Sequence, residues 1–178
     1  SPQEFQLQYI GAKSVFSPAT AVFEATREME RMGKIAIENL RHSMDALFTM
    51  NDREIQEVYE TEDQINFLNH AITDYLVKVN QTTIPTEDKK SIGGLFHVVN
   101  DIERIGDHAE NVADAARKRM EDQVEFSPQA KRELSEMLDA VVTITTYALD
   151  MFSHNNQEHM QEMLDLENKV DRMERELQ

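Results

Sequence analysis

The chain has 178 residues, with 34 acidic against 18 basic side chains and a net charge of -16, a size suited to one domain or two tightly coupled bundles. The absence of cysteine excludes disulfides and thiolate metal sites, leaving oxygen and imidazole as the available ligand chemistry. The negative field disfavours nucleic acid and anionic lipid as partners; it attracts cations, or it is simply a solvated acidic surface.

Residues 1–16 mix aromatic and polar side chains without sustained periodicity and read as an irregular lead-in. Ser17-Pro18 is a helix start, a hydroxyl cap followed by a residue that lacks the amide anyway. From there Val22, Ala25, Met29, Met32, Ala36, Leu40, Met44 and Leu47 recur every three or four residues, predicting a helix to about Thr49. Asn51-Asp52 caps a second helix with the seam Ile55, Val58, Ile65, Ile72, Leu76 and Val79, ending around Pro85. Thr86, Glu87 and Asp88 open a third, on which Leu95, Val98, Ile102, Ile105, Ala109, Val112 and Ala116 form a 3-4 packing seam.

The pattern then repeats. Phe126-Ser127-Pro128 restates Phe16-Ser17-Pro18, Phe152 before Asn155-Asn156 restates Phe48 before Asn51-Asp52, and Gln161-Glu162-Met163 restates Gln56-Glu57-Val58. In the same register Glu167 falls on Glu62, Val170 on Ile65 and Asp171 on Asn66. The expected fold is all-α: an antiparallel helical bundle of tandem three-helix units whose second copy lacks its last helix. The division is a lead-in at 1–16, a first bundle at 17–120 and a partial repeat at 127–178. The unpaired repeat should leave an apolar face, including Val141, Ile144, Met163 and Val170, covered by copy one or by a second chain in a homodimer. No stretch reaches the roughly 18 to 20 apolar residues of a membrane span. The missing initiator Met and a helical pattern running to Gln178 read as cuts in a longer protein.

Glu62 interrupts the apolar stripe of the second helix, and Glu167 interrupts its repeat. A buried, unpaired ion costs several kcal/mol, so each needs a cation, a proton or donors. Arg104 and Lys34 are the candidate salt-bridge partners, and a bound metal is the alternative. Glu103 and Asp107 lie four residues apart on one face of the third helix, a spacing suited to a hard cation or to a solvated face. Gly106 beside them costs about 1 kcal/mol in a helix relative to Ala, which close approach of another backbone would explain. No His has a Glu three positions earlier, which argues against the Glu-x-x-His di-iron enzymes, and His108 reads as a surface or packing residue. Gly93-Gly94 lacks the surroundings of a phosphate loop, and the Arg117-Lys118-Arg119 run complements a helix terminus.

The segment NDIERIGDHAENVA, from Asn100 to Ala113, resembles the signature helix of the PhoU family, and Glu62 to Asn66 with Glu167 to Asp171 resemble its Glu-x-x-x-Asp elements. The lead-in and the stretch through Ile35 are similar to the junction at which bacterial sodium/phosphate cotransporters pass from membrane helices into a cytosolic PhoU-like domain. The resemblance implies a non-catalytic regulator of phosphate uptake that binds iron or zinc, with Glu62, Glu103, Asp107, Glu167 and Asp171 as ligands. Asn66 stands where the family often has Asp. The implied partner is the transmembrane part of the same polypeptide or a phosphate-signalling protein, at the cytoplasmic face of the cell membrane, without insertion of this segment. A free-standing PhoU-type regulator is the first alternative, and a carboxylate-bridged metalloenzyme the second.

Overall fold

The computed structural model describes residues 5–11, 17–154 and 160–177. Five helices follow in order: α1 (Pro18–Thr49), α2 (Asp52–Asn80), α3 (Thr86–Glu121), α4 (Pro128–His154) and α5 (Met160–Leu177). No strand occurs among the described residues, and none of their helices is long and apolar enough to cross a membrane.

The local chemistry of the ends explains where the helices break. The Ser17 hydroxyl accepts from the Thr20 amide at 3.2 Å, and its repeat counterpart Ser127 accepts from the Ala130 amide at 3.1 Å. Met50 takes a left-handed conformation (φ 53°), which reverses the chain at once into Asn51, whose side chain accepts from the Arg53 and Glu54 amides. A link this short makes α1 and α2 antiparallel. The segment between α2 and α3 is pinned by Ile84, which is buried.

α1, α2 and α3 pack together as one three-helix unit, with α4 laid against α1 and α3 and α5 against α4. The predicted seams of α2 and α3 are buried throughout, from Ile55 to Val79 and from Leu95 to Ala116. On α1, Ala25, Met29, Met32, Ala36, Leu40 and Leu47 are buried, whereas Val22 and Met44 sit at the margin. Gly33 lets α4 come close: a Cβ there would stand 2.7 Å from a methyl of Leu149. Copy one covers the α4 part of the face expected to need it, since Val141 is buried and Ile144 packs against the core as a half-buried residue, while Val170 is buried on α5, which lies against α4. The side chains of Met163 and Phe152, and the Asn155-Asn156 cap, lie outside the described residues.

The lead-in is irregular at residues 5–11, yet it is anchored. Glu28, fully buried on α1, accepts from the backbone amides of Gln8, Tyr9 and Ile10 through one carboxylate oxygen and from Arg31 Nε at 3.1 Å through the other. Arg31 Nη2 donates to the Gln6 carbonyl at 2.9 Å. A charge inside the α1 seam is tolerable because every part of it is matched by donors.

Candidate metal centre

Glu62 enters the structure in the middle of the α2 seam, between Val58 and Ile65, and is only 3 % exposed. Neither carboxylate oxygen has a hydrogen-bond partner among the described residues. Neither expected salt-bridge partner reaches it. Arg104 lies on another face of α3, beside Glu167, and Lys34 lines a recess on α1. The carboxylate instead points at Gly106 of α3. A Cβ built there would be 2.6 Å from Glu62 Oε2 and 2.8 Å from Oε1. Gly106 therefore makes room for a side-chain carboxylate, not for the second backbone expected from its position in the helix.

Around that contact the charges are all negative. Oxygens of Glu62, Asp107 and Glu110 lie within 4.8 Å of one another, with Asp107 exposed and Glu110 half-buried. Burial pushes the Glu62 carboxyl up to about 8 from 4.5, with further contributions from Asp107, Glu110, Glu103 and Asp63. Glu110 is raised as well, by burial first and then by Asp114, Asp107 and Asp63. The cluster is neutralised in one of two ways: Glu62 keeps a proton, or a cation takes its place.

Three features fit the cation. Glu62 offers two orphaned oxygens from the protein interior, Asp107 and Glu110 close the site from the solvent side, and Gly106 keeps the space clear. An all-oxygen donor set suits hard cations such as Mg²⁺, Ca²⁺ or Mn²⁺. Glu62, Asp107 and Glu110 are the residues that would hold it. Nearby, the Tyr59 hydroxyl donates to Asp114 Oδ1 at 2.5 Å and its ring lies under the Arg117 guanidinium, 5.0 Å from the centroid. Burial and that hydrogen bond push the Tyr59 phenol up to about 12. These contacts sew α2 to α3 just beyond the acidic cluster.

Of the five residues singled out from sequence, the structure brings Glu62 and Asp107 together. Glu103 adds negative potential at Glu62 but is not among the clustered ligands; Glu110, missed in the sequence, takes that place. The reason is the lean of helical side chains toward the N-terminus, which makes a surface spot the territory of a residue C-terminal to it. Glu110, four residues after Gly106, leans back over the glycine, whereas Glu103 leans away.

Glu167 and Asp171 lie elsewhere, in a cavity between α3, α4 and α5 whose apolar wall includes Ile102, Ile105, Val141 and Val170. Arg104 and His108 of α3 share that cavity, and His108 Nδ1 stands 3.0 Å from Glu174 Oε1. The Glu167 carboxyl is raised by burial and by Asp101, while Arg104 opposes the rise. This second carboxylate has a cation of the protein's own beside it.

These features define an all-α repeat protein with a buried acidic centre between two helices of its first unit. Residues 29–116, which contain that whole centre, match the PhoU domain family. The chain carries a PhoU-like domain. It is 23 % identical over 151 residues to a phosphate-specific transport system accessory protein PhoU homolog 1 of Thermotoga maritima, covering 84 % of this chain and 64 % of that protein. A PhoU homolog of Clostridium acetobutylicum is 26 % identical over 150 residues, 83 % of this chain and 67 % of the relative. A putative inorganic phosphate export protein, YjbB, of Salmonella typhimurium is 21 % identical over 146 residues, 82 % of this chain but 27 % of its own length. The crystal structure of PhoU from Pseudomonas aeruginosa superposes with a TM-score of 0.79 at 25 % identity, covering 88 % of this chain and 75 % of that one. The chain thus spans about two thirds of the length of the first two relatives.

Proposed function

We propose that this chain is the core of a non-catalytic regulator of phosphate transport, and that the acidic centre between α2 and α3 is its cation-responsive element. The observation that carries the reading is the orphaned Glu62 carboxylate, seated against Gly106 inside the segment that matches the PhoU domain. Without a cation, Glu62 holds a proton and Asp107 and Glu110 repel each other. With one, the three carboxylates are drawn together and α2 is fixed against α3. The change in helix packing is the signal that a partner reads.

The free-standing accessory protein is the better supported form, because the PhoU homologs are described as accessory proteins of phosphate-specific transport systems. One observation favours a second form, a regulatory segment attached to a membrane phosphate carrier: the export-protein relative matches this chain over only 27 % of its own length. Fractionating cells for the intact protein separates the forms, the membrane fraction supporting attachment and the soluble fraction the accessory protein.

The regulatory reading is tested in cells whose native gene carries Glu62→Gln with Asp107→Asn. At unchanged protein level, phosphate uptake in phosphate-rich medium should depart from wild type in the same direction as a gene deletion. Uptake identical to wild type in both strains contradicts it.

A further inference from the structure

The third to fifth turns of α1 bring three cationic side chains together on one side of a strongly acidic chain. Arg27, Arg31 and Lys34 follow one another at i, i+4 and i+7, so they share a face of the helix. With Tyr9 of the lead-in and Glu30 they line a recess of about 170 Å³. Its cations are held in different ways. The Arg27 guanidinium lies over the Tyr9 ring, 4.3 Å from its centroid. Stacking occupies the face of a guanidinium and leaves its in-plane N–H groups free to donate. Arg31 is fixed by Glu28 and the Gln6 carbonyl through Nε and Nη2, and its Nη1 has no partner among the described residues. Lys34 is exposed and forms no ion pair among the described residues.

Glu30 has an interaction of its own, and the Glu28 charge is spread over three amides and Arg31. Setting these carboxylates against the three cations still leaves net positive charge in the recess, on a protein of net charge -16. Two oriented guanidiniums beside an exposed ammonium suit a tetrahedral oxyanion, because several oxygens can accept at once from different directions. A phosphoryl group also carries about 1.5 to 2 negative charges near neutral pH, more than a carboxylate.

We propose that the Arg27–Arg31–Lys34 recess binds a phosphoryl group, as inorganic phosphate or as a lipid headgroup, and that the bound anion tightens the lead-in onto α1. Coupling follows from the architecture, since Tyr9 forms one wall and Gln6, Gln8 and Tyr9 are bonded to the same Glu28–Arg31 pair that helps define the recess. The site is separate from the acidic centre and stands on its own geometry, whether or not the chain regulates phosphate uptake.

The test is titration of the chain at low ionic strength with inorganic phosphate, and with acetate at matched ionic strength, read by NMR shifts of the Gln8, Tyr9 and Ile10 amides. Cosedimentation with vesicles of phosphatidylcholine alone, or doped with phosphatidic acid, distinguishes the headgroup. The variant Arg27→Gln/Lys34→Gln alters two exposed side chains, and its fold is verified by an unchanged helical spectrum. Wild type should respond to phosphate, or to phosphatidic acid if the headgroup is the source, at least about tenfold more strongly than the variant, and more strongly than to acetate. No response to either phosphate source, an equal response to acetate, or an equal response of the variant overturns the proposal.

Discussion

Glu62 and Glu167 occupy corresponding positions in the two repeats, but α3 presents a different face to each. Toward α2 it offers Gly106 with Asp107 and Glu110, so Glu62 is deep, crowded by like charge and without a donor among the described residues. Toward α5 it offers Arg104 and His108, so Glu167 shares its cavity with the Arg104 guanidinium and is half-buried. Repetition in sequence conserves the position of a carboxylate; the helix packed against it decides whether that carboxylate waits for a proton, a metal or an arginine.

The largest expected consequence is in the pH dependence of stability. The Glu62 carboxyl titrates near 4.5 when unfolded and near 8 when folded, so between these values the folded chain holds the extra proton. Stability contributed by this group is therefore full below about pH 4.5 and falls as pH rises to about 8, in the absence of metal. Glu62→Gln should remove that fall and make the metal-free chain more stable at pH 9 by roughly 2 to 4 kcal/mol, measured by urea unfolding. Glu167→Gln should act in the same direction but less, because Arg104 offsets part of the rise. Equal effects of the two variants would erase the distinction between the sites.

Next comes Gly106→Ala. Alanine is the better helix former by about 1 kcal/mol, but its Cβ would overlap the Glu62 carboxylate, so a net loss of about 1 to 2 kcal/mol is expected. Gly93→Ala, where a Cβ meets nothing within 4 Å, should show the gain alone. Combining Gly106→Ala with Glu62→Ala should recover most of the loss, a coupling visible in a double-mutant cycle. The smallest effect belongs to Arg104→Gln. The Glu167 site is partly solvated, and a loss of about 0.5 to 1 kcal/mol is expected, together with a higher Glu167 titration followed by carboxyl NMR.

The helices were legible because their signals are local: Ser17-Pro18, Asn51-Asp52 and Ser127-Pro128 stand at the starts, and apolar spacing marks the seams between. Glu62 was legible for the same reason, as a charge in a stripe. Glu110 was not, because its membership depends on which way α3 turns toward α2 and on the lean of its side chain. Gly106 drew notice by its helix cost, but its partner is a carboxylate 44 positions earlier, a pairing only packing reveals. Glu28 went unread altogether. It also interrupts a seam, and its solution lies in backbone amides of an irregular segment whose sequence carries no signal of donation.

Whether the Glu62 centre, and not its repeat counterpart, takes the cation is decided by calorimetric titration of chelator-treated chain with Mn²⁺ or Fe²⁺ at pH 7. Running it in two buffers of different ionisation enthalpy counts the protons released. Binding should release about one proton, from Glu62, with Glu62→Gln/Asp107→Asn abolishing it and Glu167→Gln/Asp171→Asn leaving it intact. Absence of binding, or binding lost only in the Glu167 variant, would contradict that assignment.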